Sequence, residues 1–172
     1  MRREVKYLAL AAILTALSIG LDLVIKNLIP VVDFGLPYYA IPLIIGGVVL
    51  GPIYGGIMGF ISDYVGFMLA PRGSYAILFG LSAIFWGMIP GLLIKYKSNI
   101  YVITIALLIT HIMATLSNTI ALWLMVSEKT ALGSLAIRLP MLPLNVIILT
   151  FVTYVLNKRL EPVYDGFMAK KF

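Results

Sequence analysis

The chain has 172 residues, of which 62% are hydrophobic and 12% are charged, and its mean hydropathy is +1.05. This composition excludes an ordinary soluble domain and predicts an integral membrane protein. The net charge is +6, but basic residues in a membrane protein report first on loop orientation, so the charge does not indicate nucleic-acid binding. The sequence has no cysteine, which excludes disulfides and thiolate chemistry.

Hydropathy and helix-breaking residues predict an all-α architecture of six transmembrane helices, with residues 1–172 forming a single membrane domain. The first span runs through charged residues without a clear cleavage site, so we expect it to be retained rather than removed as a signal peptide. The second span is short, and we expect it to be tilted or re-entrant. The predicted spans cover residues 6–26, 38–50, 52–70, 76–94, 100–126 and 135–157.

The basic residues predict how these spans are oriented. Nine of the thirteen lysines and arginines fall on one side of a six-span arrangement. Cytoplasmic loops are enriched in such residues, so both termini are predicted to be cytoplasmic. The nine are Arg2, Arg3, Lys6, Lys95, Lys97, Lys158, Arg159, Lys170 and Lys171. The other four lie on or just inside the outer side, a position suited to a binding mouth, and they are Lys26, Arg72, Lys129 and Arg138.

The first span carries small residues and a charged pair. Ala12, Ala16 and Gly20 recur every four residues, a spacing that suits close helix contact inside the bundle or with another membrane protein. Asp22 and Lys26 are four residues apart near the outer end of the span, so we expect them to form a local ion pair.

A run of glycines leads to a carboxylate inside the third span. Gly47, Gly51, Gly55, Gly59 and Asp63 follow at four-residue intervals, which on one helix would place them along a single stripe. Glycines in such a stripe let a second backbone come close, which is how membrane helices commonly pack. A carboxylate within a membrane span is costly unless it faces a cavity or a partner, so Asp63 is predicted to mark a site.

The fourth span presents aromatic residues on one face. Tyr75, Phe79, Ser82 and Trp86 share this face. Such a stripe is commonly core or an interfacial belt, although Trp86 lies too deep for a belt.

The fifth and sixth spans carry polar residues. Thr104, His111, Thr115 and Asn118 share a face of the fifth span, where hydrogen bonding between helices is the ordinary role of such residues. His111 is expected to be a satisfied interior residue rather than a metal ligand, because no second histidine or cysteine could share a metal. The sixth span is predicted to begin with Arg138, Pro140, Pro143 and Asn145. Arg138 and Asn145 are seven residues apart and therefore share a face of the helix.

These residues converge at one depth in the predicted bundle. Asp63 lies about 16 Å from the cytoplasmic start of its span, near the middle of a hydrocarbon core about 30 Å thick. The aromatic face descends to the same level from outside, and Asn118 reaches it from the fifth span. Arg72 and Arg138 are placed above. The layout predicts an outward-facing pocket for a flat, anionic, aromatic ligand. The alternative is that Asp63 simply pairs with Arg72 or Arg138 inside the bundle.

Motifs for catalysis are missing from the sequence. It contains no GxxxxGK[ST] phosphate loop, no HExxH and no GxSxG turn. A chain that binds a solute in the membrane without hydrolysing ATP needs an ion gradient or an energising partner, and the lack of an evident inverted repeat favours the partner. A small membrane enzyme with Asp63 as a base is disfavoured, because no second acid or metal cluster accompanies it.

Two runs, FGLPYYAIPLIIGGVVLGPIYGGIMGFISDYVGFMLAPRGSY and LSAIFWGMIPGLL, resemble the substrate-binding S component of energy-coupling factor (ECF) vitamin transporters. The resemblance extends from Ala12 to about Leu156. LGPIYGGIMGFISD carries the shared feature, and YAILFGLSAIFWGMIPGLL and IRLPMLPLN make the chain most similar to the folate-specific FolT members. Ala12 and Ala16 match a motif of the family that contacts the transmembrane T component, so the resemblance favours an intermolecular surface on the first span.

The resemblance implies a six-helix S component with cytoplasmic termini in a bacterial plasma membrane, expected of a Gram-positive cell. Such a subunit captures folate from outside and delivers it inward with a T component and two cytoplasmic ATPases, and it is neither an enzyme nor dependent on a cofactor or metal. An S component for thiamine, pantothenate or riboflavin is the alternative, although two outer arginines suit an anionic ligand better than a cationic one.

For folate, the chemistry of the pocket suggests a role for each candidate residue. Asp63 or Asn145 is expected to read the pterin edge. Arg72 and Arg138 are expected to bind the glutamate tail. The aromatic candidates for stacking on the pterin are Phe79, Trp86 and Tyr75. With Asn118 at the same depth, these are the predicted substrate-binding residues.

Overall fold

The computed structural model describes residues 3–28, 37–71, 75–94 and 98–160. Arg72 and most of the basic residues used to predict orientation therefore lie outside the described ranges. The regular structure of these ranges consists of six helices, as predicted. They are α1 (Arg3–Leu28), α2 (Ala40–Leu50), α3 (Pro52–Leu69), α4 (Ile77–Leu93), α5 (Ile100–Met125) and α6 (Glu128–Arg159).

Three of these helices are long and apolar enough to cross a membrane, namely α1, α5 and α6. The second helix is the shortest of the six, since α2 has 11 residues and is about 16 Å long. It cannot cross a hydrocarbon core of about 30 Å by itself. The chain is thus a helical membrane protein in which α2, α3 and α4 are shorter than α1, α5 and α6.

The glycine stripe does not follow one helix, because the chain turns at its second member. Gly51 has φ 104°, in the left-handed region that favours glycine, and it separates α2 from α3. Pro52 then starts α3 at a position where its missing N–H costs nothing. The expectation of a single stripe from Gly47 to Asp63 was therefore wrong, and Gly47 belongs to a different helix.

The sixth helix begins earlier than predicted, at Glu128 rather than residue 135. The Ser127 side chain accepts a hydrogen bond from the Thr130 backbone N–H at 3.1 Å and caps the helix. Hydropathy missed this first part because its residues are polar or small. Pro140 and Pro143 consequently lie inside α6 rather than at its start. At 32 residues the helix is about 48 Å long, more than the hydrocarbon core needs.

The helices form a series in which α4 packs between α3 and α5, α2 packs on α3 and α4, α1 on α2 and α3, and α6 on α5. The tightest crossing joins α3 to α4. A Cβ atom added to Gly55 would overlap the carbonyl group of Gly87, and one added to Gly87 would overlap that of Gly55. A Cβ atom added to Gly47 of α2 would also overlap the Gly87 carbonyl group, and one added to Gly91 of α4 would overlap that of Gly47. The glycines thus let backbones approach closely, as predicted.

The interior and the surface follow from this packing. Fully buried aliphatic side chains from α2, α5 and α6 form the core, with Leu43, Ile44, Ile103, Leu107 and Leu149 at its centre. Many large apolar side chains are exposed, such as Leu8 on α1 and Phe151 on α6. Exposure on this scale is expected where lipid rather than water surrounds the helices.

Replacement of Gly55 or Gly87 by alanine tests the α3–α4 crossing. We expect each variant to lose about 1–3 kcal/mol of stability or to fail to fold, because the new methyl group meets a backbone carbonyl that cannot rotate away. Gly133→Ala is the matched control, since a Cβ there meets nothing within 4 Å. Thermal unfolding in detergent measures the effect. A Gly55→Ala protein that melts with the wild type would contradict the crossing.

Candidate functional site

Asp63 lies on α3 where α3, α4 and the segment before α4 meet. Its Oδ2 atom accepts a hydrogen bond of 3.1 Å from the Tyr75 hydroxyl. Gly80 on α4 lies opposite, and a Cβ there would be 3.5 Å from the same oxygen. Lys26 is the cation whose charge acts on Asp63. The carboxylate therefore faces the interior of the bundle rather than lipid.

Tyr75 joins the carboxylate to an aromatic group. Its ring is 5.4 Å from Tyr64 in an edge-to-face arrangement and 5.0 Å from Phe67. Burial and the neighbouring Asp63 carboxylate raise the pKa of the Tyr75 hydroxyl to about 12. The hydroxyl is therefore protonated at neutral pH and able to donate to Asp63.

The predicted ion pair near the C-terminal end of α1 is confirmed, since Lys26 Nζ contacts Asp22 Oδ2. The pair faces α3, because a Cβ added to Gly66 would lie 3.2 Å from the same carboxylate oxygen. Gly66 is one turn from Asp63 on the same side of α3. The Asp22–Lys26 pair and Asp63 thus border one region.

A second polar group lies across α4, α5 and α6. The Trp86 and His111 rings are 5.4 Å apart in an edge-to-face arrangement. The Asn145 amide donates to His111 Nε2 at 3.2 Å, and His111 Nδ1 lies 3.2 Å from Thr115 Oγ1. Because Nε2 accepts, the proton of the neutral ring is on Nδ1, which donates to Thr115. His111 is a buried, hydrogen-bonded residue, in the position expected for it.

Tyr39, which the sequence did not single out, lies between these two groups. Its hydroxyl hydrogen-bonds to Ser82 on α4. The charges of Asp22, Asp63 and Arg138 all act on it. Tyr39 directly precedes α2, and nothing in its spacing distinguished it from its neighbour Tyr38.

The backbone of Tyr39 is held by the neighbouring helices. The Ser18 hydroxyl of α1 bonds to the Tyr39 carbonyl oxygen at 2.8 Å and lies 2.7 Å from the Ser62 hydroxyl of α3. Ser18, Ser62 and Ser82 are all buried. These contacts fix the start of α2 against α1, α3 and α4.

The remaining candidates border the same region to different degrees. Arg138 is partly buried on α6, and its charge acts on both Tyr39 and His111. Phe79 and Asn118 are partly buried. The Ser117 hydroxyl, next to Asn118, donates to the Leu78 carbonyl at 3.4 Å, so the two helices meet at this level.

The structure brings four of the predicted residues into contact, in two groups. Asp63 and Tyr75 form one, Trp86 and Asn145 with His111 form the other, and Tyr39 lies between them. The two groups together contain a carboxylate, an amide and aromatic rings, which are side chains able to hydrogen-bond or stack. In the described ranges no cluster of three or more His, Asp or Glu residues could hold a metal ion.

The α1 residues with small side chains have a different environment. Ala12, Ala16 and Gly20 are exposed, and a Cβ at Gly20 would meet nothing within 4 Å. Ser18, Asp22 and Lys26 face the bundle instead. α1 therefore has one face of small residues that points away from the bundle and one polar face that points into it.

Comparison with known proteins gives two matches. The family profile described as "ECF transporter, substrate-specific component" matches residues 6–157. The "Folate transporter FolT" of Clostridium novyi (strain NT) is 33% identical over 100 residues, which are 56% of this chain and 55% of that protein. The chain thus matches about half the length of this relative. No solved structure matches it.

Proposed function

The chain belongs to the family of substrate-specific components of ECF transporters, and we propose that it captures folate outside the cell for import. A transporter component of this kind binds a solute rather than converting it. The similarity to a folate transporter supports folate as the proposed ligand. The observation that carries the proposal is the polar network between the helices, in which Asp63 meets Tyr75, and Asn145 and Trp86 both meet His111.

The chemistry of folate suits this convergence. The pterin edge presents N–H groups that a carboxylate such as Asp63 accepts, and an amide such as Asn145 both donates and accepts. Stacking on the pterin is proposed for Trp86, Phe79 or Tyr75. We propose that Asn118 of α5 also contacts the ligand.

Arginine is the side chain best suited to the two carboxylates of the glutamate tail, because its guanidinium binds a carboxylate with two parallel hydrogen bonds. We propose this role for Arg138 and Arg72. Thiamine, pantothenate or riboflavin is the alternative ligand, and a cationic vitamin would gain nothing from these arginines.

The proposed assembly follows from the family. The subunit joins a T component and two cytoplasmic ATPases in a bacterial plasma membrane, with its own single domain spanning residues 1–172 and both termini in the cytoplasm. The exposed small residues Ala12 and Ala16 on α1 suit the contact with the T component, because a helix of that protein could approach the α1 backbone closely.

Folate binding by the purified chain in detergent tests the proposed ligand. We expect saturable binding of about one folate per chain by titration calorimetry, with nanomolar affinity and no heat from thiamine or riboflavin. Pantothenate completes the panel. A folded, monodisperse protein that ignores folate but binds one of the other vitamins would remove the folate assignment while leaving the family assignment intact.

Arg138→Ala tests the site for the glutamate tail. We expect folate affinity to fall roughly 10- to 100-fold, because a charged hydrogen-bonding partner of the ligand is lost. Lys129→Ala removes the same charge from an exposed position at the start of α6 and should bind folate normally. Thermal unfolding is measured in parallel. Unchanged affinity with reduced stability would instead support a structural ion pair for Arg138.

Ala12→Leu and Ala16→Leu test the contact with the T component. We expect either variant to reduce copurification with the T component, because the larger side chain blocks close helix approach. Folate affinity of the isolated chain should not change, since both residues are exposed. Ala136→Leu, at an exposed alanine of α6, is the matched control. Normal assembly of both α1 variants would place the contact elsewhere.

A further inference from the structure

The Asp22–Lys26 pair lies on the site side of α1, at the edge of the region that Asp63 faces. The Asp22 carboxylate contacts α3 at Gly66. The charge of Lys26 acts on Asp63, and that of Asp22 acts on both Asp63 and Tyr39. The two side chains are 21% and 32% exposed, so ligand or solvent can reach them. This position is unlike that of an ion pair on a lipid-facing or fully exposed helix surface.

Stabilisation of α1 alone does not account for a charged pair in this place. An exposed aspartate and lysine four residues apart stabilise a helix only slightly. Placing both at a membrane-embedded site costs desolvation, which an ordinary polar pair would avoid. A lysine at this position is better explained by an interaction with a negatively charged group of the ligand.

The acidic and basic side chains near Asp63 also favour a cation that can move from a protein carboxylate to a ligand carboxylate. Among the described residues, Asp22 and Asp63 are acidic and Lys26 and Arg138 are basic, so the formal charges of these four side chains sum to zero. A ligand with carboxylates adds negative charge to this balanced group. The added negative charge attracts the nearby cations, so a flexible cation of this group can contact the ligand in place of, or in addition to, a protein carboxylate.

We propose that the Lys26 ammonium binds a carboxylate of the ligand, and that Asp22 holds this ammonium in position while the site is empty. The inference rests on the proposed capture of folate and adds a third cation, on α1, to those already assigned to the tail. A lysine suits this role, since its ammonium is a compact point charge on a flexible stem and can turn from one carboxylate to another.

Exchange of partners predicts opposite effects for the two members of the pair. Lys26→Gln removes the cation, so folate affinity should fall about 10- to 100-fold. Asp22→Asn removes the carboxylate that competes for the ammonium, so folate affinity should be equal or a few times higher. A purely structural pair would make both variants equally unstable and leave affinity unchanged.

Calorimetry with folate and with folate diamide, whose two tail carboxylates are converted to amides, separates these cases. Wild type, Lys26→Gln, Asp22→Asn and the control Lys129→Gln are titrated with both compounds, and their thermal unfolding is measured. The diamide keeps the pterin and lacks only the tail charges. We therefore expect Lys26→Gln to weaken folate binding and to leave diamide binding as in the wild type.

Three outcomes would overturn parts of this picture separately. If wild type binds folate and Lys26→Gln binds it equally well, Lys26 does not contact the ligand and only this inference fails. The same holds if Lys26→Gln weakens folate and diamide alike, because the loss is then unrelated to the tail. If the folded wild type binds neither compound, the proposed folate function fails, and the assignment of Lys26 to its tail fails with it.

Discussion

The close backbone contact between α3 and α4 determines where the other elements can lie. In lipid there is little hydrophobic drive between helices, so the depth of their contact depends on the size of the facing residues. Gly55 and Gly87 have no side chain to separate the two backbones. This crossing brings Gly80 opposite Asp63 and turns Trp86 toward α5, where it meets His111. The candidate site is thus built on the most closely packed helix pair of the bundle.

Buried hydrogen bonds then hold the other helices around that pair. Ser18 and Ser62 link α1 to α3, and the Tyr39 backbone joins them at the start of α2. Because an unpaired polar group is costly in a membrane interior, these contacts favour one register of the helices over others. His111 does the same between α5 and α6 through Asn145. Polar residues therefore specify the arrangement that the glycines permit.

Much of this could be predicted from local sequence, and the remainder depends on contacts between distant residues. Helix type and most boundaries follow from hydropathy, and the Asp22–Lys26 pair follows from a four-residue spacing. The start of α6 was missed because polar residues after Ser127 continue a helix without continuing an apolar run. Tyr39 was missed because its partner Ser82 is 43 positions away. Periodicity shows which residues share a face, but it does not show which face another helix meets.

The two faces of α1 connect the proposed ligand site with the proposed partner surface. Lys26 lies at the inner face near one end, and Ala16 is exposed ten residues earlier, about 15 Å along the axis. α1 is one continuous helix over this distance, so a shift of its backbone near Lys26 would also shift the small-residue face. Ser18 anchors the segment between them to α2 and α3. A ligand that draws Lys26 away from Asp22 would therefore act on the same helix that carries the proposed surface for the T component.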